Sequence, residues 1–281
     1  MEPNANVRNV SDTARWVAYF RALESQRPDA LFNDPFAERL AGEHGFQIAN
    51  DLKDGNKHEW AWVARTYLFD EFIAQAVKDG ADQVINLAAG LDARPYRMEL
   101  PAKLQWVEVD FPEIVSYKEH ILSSETPHCQ LERYGLDLAN IEERRKLFTK
   151  LNARAKRTAV ASEGLLIYFT PEEVASLATD LSTQNGFQNW IVDLASPGQL
   201  KIMQRTTGKQ LSEAGAAFKF GPPEGANYFT PYGWSPADVR GMLKTAASLN
   251  RAPAELLSLL PEPKGPMINY PWTGVCLLRR S

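Results

Sequence analysis

The sequence predicts an α/β fold in which a doubly wound, mostly parallel sheet follows an N-terminal helical extension and carries a C-terminal lid insertion. Short apolar runs alternate with helical segments from Gln83 to Leu194, which is typical of βαβ units. The preceding stretch shows only helical periodicity. The 281 residues, 44% of them hydrophobic, suffice for one large core. We therefore expect a single domain, with residues 1–80 as a helical preamble, 81–195 as the ligand-binding core, and 196–281 as lid and final strands.

Three helices are predicted in the preamble. Ser11 is a capping residue for a helix from Asp12 to Ser25, whose aromatic residues recur at helical spacing. Asn33-Asp34-Pro35 combines a capping residue with a proline at the first helical position and opens a short helix that ends at Gly42. A longer helix runs from His58 to Lys78 and reaches its C-terminal glycine at Gly80.

The strands and helices of the core follow in alternation. The five predicted strands are Gln83 to Leu87, Leu104 to Val109, Cys129 to Tyr134, Thr158 to Ala161, and Asn189 to Leu194. The helices between them are Pro112 to Ser123, Ile141 to Leu151, and Pro171 to Ser182. A helix from Gly198 to Ala214, a helix starting at Ser235-Pro236 and a last strand from Gly274 to Leu278 complete the chain. In such a sheet the ligand site lies beyond the C-terminal ends of the strands.

Composition argues against several classes of partner. A formal net charge of -4 lacks the basic excess with which nucleic-acid-binding proteins neutralise phosphates. The basic run Arg144-Arg145-Lys146 lies on a predicted helix and is interpreted as charge exposed to solvent. Cys129 and Cys276 lack the spacing of a disulfide framework or a metal site, and no eighteen apolar residues run together. We expect a cytoplasmic protein without bound metal, nucleic acid or membrane.

A turn of small residues follows the first strand. Ala88-Ala89-Gly90 lets backbone amides approach a ligand without a side-chain collision. The second strand ends in Asp110, twenty residues after Gly90, where a carboxylate can accept hydrogen bonds from both hydroxyls of a ribose. Glu108 points the same way by the strand period of two, so either acid can serve, and Asp110 is preferred because it ends the strand.

Seven motifs occur in one order along the chain. They are Asn33-Asp34-Pro35-Phe36-Ala37, Arg65-Thr66 with Asp70, Val84 to Arg94, Val107 to Pro112, Leu136-Asp137-Leu138, Ser162 to Phe169, and Gly233-Trp234. Together they resemble the leucine carboxyl methyltransferase family and its bacterial branch of polyketide-type O-methyltransferases. The resemblance implies a class I, Rossmann-like methyltransferase fold and the cofactor S-adenosyl-L-methionine. It also implies methyl transfer to a carboxylate or hydroxyl of a small-molecule, polyketide-like acceptor.

The same resemblance implies roles for individual residues. Arg65 would bind the carboxylate of the cofactor, for which a forked guanidinium is well suited. The turn Ala88-Ala89-Gly90 would face the cofactor and Asp110 its ribose. Asp137 and Leu138 would meet the adenine amino group and ring face, and Glu163 would complete the cofactor site.

The chain departs from the family pattern in the turn. The family has Gly-x-Gly where this sequence has Ala88-Ala89-Gly90, and threonine where Ala93 stands. A methyl group at Ala88 narrows the approach and disfavours backbone angles that are open to glycine. The replacement of that glycine is therefore expected to reduce cofactor affinity.

The acceptor site is less defined by the sequence. The preamble and the aromatic, glycine-rich stretch from Phe218 to Trp234 are interpreted as its pocket and lid, with Arg15, Tyr19, Tyr168 and Trp234 as candidate acceptor residues. The four histidines, at positions 44, 58, 120 and 128, lie outside the seven motifs, and no general base is nominated.

Two alternatives remain open at this point. A nicotinamide-dependent oxidoreductase also uses a glycine turn and an acidic strand end, although its fingerprint requires a third glycine where Ala93 stands. A non-catalytic protein that binds S-adenosyl-L-methionine is the other alternative, suggested by Ala88 and by the lack of an evident base.

Overall fold

The computed structural model describes residues 10–51, 59–206, 212, 216–252 and 270–281, and a seven-stranded sheet organises them. The strands are β1 (Gln83–Leu87), β2 (Gln105–Asp110), β3 (Gln130–Gly135), β4 (Thr158–Ser162), β5 (Phe187–Ala195), β6 (Trp234–Gly241) and β7 (Thr273–Arg280). The described helices are α1 (Val10–Ser25), α2 (Ala37–Asp51), α3 (Glu59–Lys78), α4 (Arg94–Arg97), α5 (Pro112–Ile121), α6 (Ile141–Asn152), α7 (Pro171–Ser182), α8 (Pro197–Thr206) and α9 (Met242–Ser248).

The strand order is β3-β2-β1-β4-β5-β7-β6. β1 to β5 are parallel to one another, whereas β7 is antiparallel to both β5 and β6. The chain fills the sheet outward from β1 to β3 and then returns to add β4 and β5 on the other side of β1. This reversal opens a crevice at the C-terminal ends of β1 and β4, where ligands of doubly wound sheets bind. The predicted fold class is confirmed.

Two apolar layers cover the two faces of the sheet because successive strand residues point to opposite sides. Val84 and Trp106 pack with Phe69 and Phe72 of α3 on one face. Ile85 packs with residues of α6 and α7 on the other face. The central strands β1 and β4 are buried along their whole length, as strands covered on both faces must be.

The N-terminal helices agree with the predicted preamble except in α2. The sequence predicts that this helix ends at Gly42, where the backbone does leave helical geometry at φ 59° and ψ -178°. A second helical stretch nevertheless follows to Asp51, because Ile48 and Ala49 are fully buried and supply an apolar face. The prediction that the helix ends at Gly42 is therefore wrong, although the predicted break in helical geometry at that residue is confirmed.

The segment starting at Ser235-Pro236 is the strand β6, and the prediction of a helix there is wrong. A serine followed by proline is typical of a helix start, which explains the error. β6 lies at the edge of the sheet, where the missing N–H of Pro236 leaves no ladder bond unmade on the solvent side. The pairing with β7 is irregular between Pro236 and Asp238.

The remaining predicted elements are close to those observed. β5 starts at Phe187, two residues before its predicted start, and β7 is longer than predicted at both ends. The helix predicted from Gly198 to Ala214 is observed as α8 as far as Thr206, and most of its predicted remainder lies outside the described residues. No helix in the described part of the chain is both long and apolar enough to cross a membrane.

Trp234 packs between the sheet and α7. Its ring is fully buried, lies 5.6 Å from the Trp190 ring, and donates from Nε1 to the carbonyl of Ala178 at 2.9 Å. Trp234→Ala should lower the free energy of unfolding by about 3–5 kcal/mol because it leaves a large cavity. Urea unfolding measures this loss. Val239→Ala on the same strand, where the side chain is exposed, should stay within about 0.5 kcal/mol; equal losses would contradict the assigned packing.

Candidate functional site

One cavity of about 1550 Å³ lies at the C-terminal edge of the parallel strands. Its wall includes the turn after β1 and residues that end or follow β2, β3, β4 and β5, together with side chains of α1, α3 and α8. All eight residues predicted to contact the cofactor line it: Arg65, Ala88, Ala89, Gly90, Asp110, Asp137, Leu138 and Glu163. The structure thus brings together residues that are up to 98 positions apart.

The turn after β1 has two residues in the left-handed region. Gly90 has φ 50°, and Ala88 has φ 52° although it carries a side chain. An L-residue pays about 1 kcal/mol for this conformation, so the turn keeps its shape at a small cost. A Cβ on Gly90 would lie 3.3 Å from the Cβ of Ala14, which shows how closely α1 covers the turn. Small residues are required here by the contact with α1.

Asp110 is the acid that reaches the cavity from β2. Its Oδ2 accepts from the N–H of Gly90 at 2.5 Å and its Oδ1 from the N–H of Phe111 at 2.7 Å. Burial raises the pKa of this carboxyl, although both N–H groups oppose the rise. Glu108 is instead bound by Lys118 at 2.8 Å and Arg133 at 2.7 Å and does not line the cavity. Of the two acids that the sequence left open, only Asp110 lines the cavity.

The segment after β3 contributes Asp137 and Leu138. Leu138 is buried, whereas the Asp137 side chain is exposed and its Oδ1 accepts from the N–H of Ala139 at 2.9 Å. Arg144 holds this segment, because its Nη1 donates to the Leu138 carbonyl at 2.9 Å while the rest of the guanidinium binds Asp180. Arg144 is almost fully buried. Its interpretation as solvated charge is therefore wrong.

Arg65 and Glu163 meet at the centre of the cavity wall. Arg65 Nε donates to Glu163 Oε1 at 3.1 Å, and Nη1 lies 3.4 Å from Oδ2 of Asp193. The guanidinium also lies 4.8 Å from the centre of the Trp62 ring. Burial opposes the charged form, yet Asp193 and Glu163 raise the pKa of Arg65 above its ordinary value. The cation is thus fixed in orientation as well as in charge.

Arg94 binds the other oxygen of Glu163. Its Nη1 lies 2.9 Å from Glu163 Oε2 and 3.1 Å from Asp92 Oδ2, while Nε donates to Asp70 at 2.6 Å. Burial opposes the charge of Arg94, but these three acids raise its pKa well above its ordinary value. Burial likewise disfavours the charged form of Asp92, but the nearby cations, Arg94 first, lower its pKa to about 2.

Sequence reasoning missed three of these side chains, namely Asp92, Arg94 and Asp193. Asp92 and Arg94 stand inside the motif that carried the family resemblance, yet the pattern gave them no role. Asp193 lies near the end of a predicted strand, and the rule that selected Asp110 would have selected it as well. Their partners are distant in the sequence, which is why spacing alone did not reveal the cluster.

Of the four candidate acceptor residues, one lies in the described lining of the cavity and three do not. Tyr168 lines the cavity, and burial raises its pKa above the ordinary value. Arg15 and Tyr19 are absent from the described lining: the Arg15 guanidinium lies over the Tyr117 ring at 3.9 Å, and Tyr19 packs against Phe20 and Phe46. Trp234 is held in the core, as described above. The assignment of Arg15, Tyr19 and Trp234 to the acceptor pocket is corrected accordingly.

One part of the cavity wall is apolar and aromatic and adjoins exposed cations. Its side chains include Trp16 of α1, Met203 of α8 and Phe218, with Phe218 5.6 Å from the Tyr168 ring. The exposed cations Arg205, Lys219 and Lys244 also line it, and none forms an ion pair with a described residue. Among the described lining residues there is no histidine. His58 lies outside the described residues.

Comparison with known proteins identifies the family. The family model described as leucine carboxyl methyltransferase matches residues 14–182, more than half of the chain. The chain belongs to this family. It is an S-adenosyl-L-methionine-dependent methyltransferase, and the resemblance seen in the sequence is confirmed. Family membership also decides against the nicotinamide-dependent alternative.

Two relatives that are named as methyltransferases align with most of the chain. A protein of Frankia alni named "Putative S-adenosyl-L-methionine-dependent methyltransferase" is 31% identical over 267 residues, covering 87% of this chain and 90% of that protein. A protein of Mycobacterium marinum with the same name is 28% identical, covering 90% of this chain and 94% of that protein.

Solved structures share the fold at low identity. A DUF574 family protein of Streptomyces avermitilis has a TM-score of 0.62 at 12% identity, covering 96% of this chain and 97% of that one. A protein of Thermobifida fusca described as a "putative methyltransferase" has a TM-score of 0.57 at 16% identity, covering 88% of this chain and 93% of that one. Both structures share the fold of the sheet described above.

Replacing Ala88 tests the cost of its backbone conformation. Ala88→Gly should leave stability unchanged or raise it by up to about 1 kcal/mol, because relief of the left-handed alanine offsets the greater freedom of glycine in the unfolded chain. Ala89→Gly is the matched control, since φ of Ala89 is not positive, and it should lose about 0.5–1 kcal/mol. Urea unfolding of both variants gives the comparison; a loss in Ala88→Gly as large as in the control would contradict it.

Removing Arg94 tests the buried charge cluster. Arg94→Met should lower the free energy of unfolding by about 3–5 kcal/mol, since three buried acids lose their shared counter-ion. Arg39→Met breaks an exposed pair with Glu125 and should cost no more than about 1 kcal/mol. The midpoints of urea unfolding measure both, and equal shifts would show that the Arg94 cluster is no stronger than a surface pair.

Proposed function

We propose that this methyltransferase transfers the methyl group to an oxygen of a small-molecule acceptor, either a carboxylate or a hydroxyl, with a polyketide-like acceptor as the expected type. The observation that carries the proposal is the aromatic and apolar part of the cavity wall, which adjoins cations that form no ion pair with a described residue, and the described lining has no histidine. A carboxylate is ionised at neutral pH and needs no base, so such a wall favours a carboxylate on an apolar body.

The size of the cavity supports two ligands side by side. A pocket for one drug-sized ligand has about 300–1000 Å³. The volume of about 1550 Å³ exceeds this range and leaves space for an acceptor next to the cofactor. Direct displacement at a methyl carbon requires both ligands in one cavity, in line and shielded from water.

The cavity residues around Arg65, Glu163 and Asp110 fit S-adenosyl-L-methionine. Arg65 would hold the carboxylate of its amino-acid end, because Nη2 has no hydrogen-bond partner among the described residues. Glu163 would face the ammonium group. Asp110 would hold the ribose: each carboxylate oxygen has two lone pairs, so its bonds to Gly90 and Phe111 leave acceptor sites for both hydroxyls.

The adenine end would meet Asp137 and Leu138. Asp137 is exposed at the edge of the cavity and accepts from one backbone N–H, so an oxygen remains for the exocyclic amino group. Leu138 offers an apolar surface to the ring face. The turn of Ala88, Ala89 and Gly90 would pass beneath the cofactor without a bulky side chain.

The bound cofactor supplies an electrophilic methyl group on a sulfonium. The chain's own residues then bind, orient and exclude water, and no covalent intermediate with the protein is needed. Tyr168 and Phe218 would pack against the acceptor beside Arg65, and Lys219 and Arg205 would attract an anionic acceptor toward the opening. Orientation of this kind contributes more to the rate than proton transfer when the nucleophile is already ionised.

We also propose that residues 1–281 form one domain. Residues 1–80 act as helical preamble and lid, 81–195 as the cofactor-binding core, and 196–281 as lid and final strands. The contacts of α1 with the turn after β1 and of β7 with β5 support this, because both outer segments pack directly on the core.

Replacing Asp110 tests the cofactor site. Asp110→Ala should weaken the binding of S-adenosylhomocysteine by about ten- to a hundredfold, because two hydrogen bonds from ribose to a charged acceptor are lost. Isothermal titration calorimetry measures the affinity, and circular dichroism checks the fold. Glu132→Ala, which removes an exposed acid of β3, is the control and should bind as the unchanged protein does. Unchanged affinity in Asp110→Ala would refute the assigned cofactor site.

The acceptor class is tested by the pH dependence of turnover. A carboxylate acceptor should give a kcat that varies by less than about twofold between pH 6 and 9, since its pKa lies near 4. A hydroxyl acceptor should instead give a rate that rises with pH as its base deprotonates. A panel of aromatic carboxylic acids and the matching phenols, assayed for S-adenosylhomocysteine release, provides the measurement; turnover of neither class would refute O-methylation.

A further inference from the structure

Three side chains contact the guanidinium of Arg65. Glu163 binds Nε at 3.1 Å, Asp193 binds Nη1 at 3.4 Å, and the Trp62 ring covers the group at 4.8 Å. Only Nη2 has no hydrogen-bond partner among the described residues. The direction in which Arg65 can donate to a ligand is therefore set by its neighbours rather than by its own flexible side chain.

Gly164 lies directly against this guanidinium. Its φ is +69°, and a Cβ built on it would lie 3.1 Å from Nη1 and 3.4 Å from Nη2 of Arg65. The backbone conformation and the close approach both favour glycine. The turn after β4 therefore fits the guanidinium closely, and any shift of the turn moves the cation.

Asp193 connects these two parts. Its Oδ1 accepts from the N–H of Gly164 at 2.6 Å, and its Oδ2 faces Nη1 of Arg65 at 3.4 Å. The side chain is only 14% exposed, and it comes from β5 rather than from the elements that carry Arg65 or Gly164. One carboxylate thus fixes the turn and the cation relative to each other.

We propose that Asp193 is a positioning residue that aims Nη2 of Arg65 at the carboxylate of the cofactor, and that it thereby sets the affinity for the amino-acid half of the cofactor. This inference rests on the role proposed for Arg65. Asp193 acts through Arg65, which would hold the amino-acid end of the cofactor, and through Gly164, which lies against Arg65. The nucleoside half, at Asp110 and Leu138, does not depend on it.

Two ligands distinguish binding of the amino-acid half of the cofactor from binding of its nucleoside half. S-adenosylhomocysteine carries the amino-acid end, whereas 5′-methylthioadenosine contains the same nucleoside without it. In Asp193→Asn the binding of S-adenosylhomocysteine should weaken about tenfold, because a charged contact that orients the cation is lost. The binding of 5′-methylthioadenosine should change by less than about twofold. Calorimetry of both ligands and the unfolding temperature are measured for each variant.

Glu173→Gln is the matched control for the loss of one negative charge. Glu173 also lines the cavity but does not contact Arg65, and a glutamine keeps the oxygen that accepts from the N–H of Thr170. Both ligands should bind this variant as they bind the unchanged protein. A selective loss for S-adenosylhomocysteine here would mean that overall charge, and not positioning, governs affinity, and it would overturn the inference.

A second variant changes the other neighbour of Nη1. Gly164→Ala places a methyl group against Nη1 and should produce the same selective loss for S-adenosylhomocysteine without removing a charge. Equal weakening of both ligands in Asp193→Asn and Gly164→Ala would show a merely structural role and overturn the inference. If Asp193→Asn fails to fold, the Gly164→Ala result decides by the same criterion.

The unchanged protein distinguishes this inference from the function on which it rests. If it binds S-adenosylhomocysteine no more tightly than 5′-methylthioadenosine, the role proposed for Arg65 fails, and the inference fails with it. If it prefers S-adenosylhomocysteine and Asp193→Asn keeps that preference in full, the cofactor site stands and the positioning role of Asp193 is refuted.

Discussion

The carboxylate of Glu163 lies between two guanidinium groups, with Arg65 on one oxygen and Arg94 on the other. Glu163 follows β4, Arg94 follows β1 and Arg65 lies on α3, so one ion cluster connects the centre of the sheet to a helix. None of the three side chains is more than 14% exposed. Because a buried charge without its partner is costly, each member depends on the others, and the geometry of the cavity wall depends on all of them.

This constraint makes the N-terminal helices part of the site. α3 supplies Arg65, and Ala14 of α1 covers Gly90 so closely that no Cβ fits at ordinary distance. The hydroxyl of Tyr168, in the turn after β4, also bonds to Thr13 of α1. A ligand held between the sheet edge and these helices would bind only their packed arrangement and would stabilise it by mass action. The residues proposed to bind the ligand and those that hold the helices in place are therefore largely the same.

The sequence predicts those features that local pattern controls. Five strand positions, their parallel order and the acids at strand ends follow from apolar periodicity and from the geometry of parallel sheets. Features that depend on distant partners are not accessible in this way. Arg144 looks like solvated charge until Asp180 and the Leu138 carbonyl surround it, and Asp193 gains its meaning only from Arg65, 128 positions earlier. β6 was mistaken for a helix because a proline at a sheet edge and a proline at a helix start have the same local pattern.

Ala88 shows how the turn and the ligand site are coupled. The family pattern has glycine there, and the alanine of this chain takes a left-handed conformation, at φ 52°. Two hydrogen bonds hold the turn, from Ala89 N–H to the Val109 carbonyl and from Gly90 N–H to Asp110, and at about 1 kcal/mol each they offset the strain of the alanine. One of them uses the carboxylate that is proposed to hold the ribose. A ribose that drew Asp110 away from Gly90 would weaken the contact that keeps Ala88 in place, so we propose that the alanine would lower affinity through the turn rather than by obstructing the ligand.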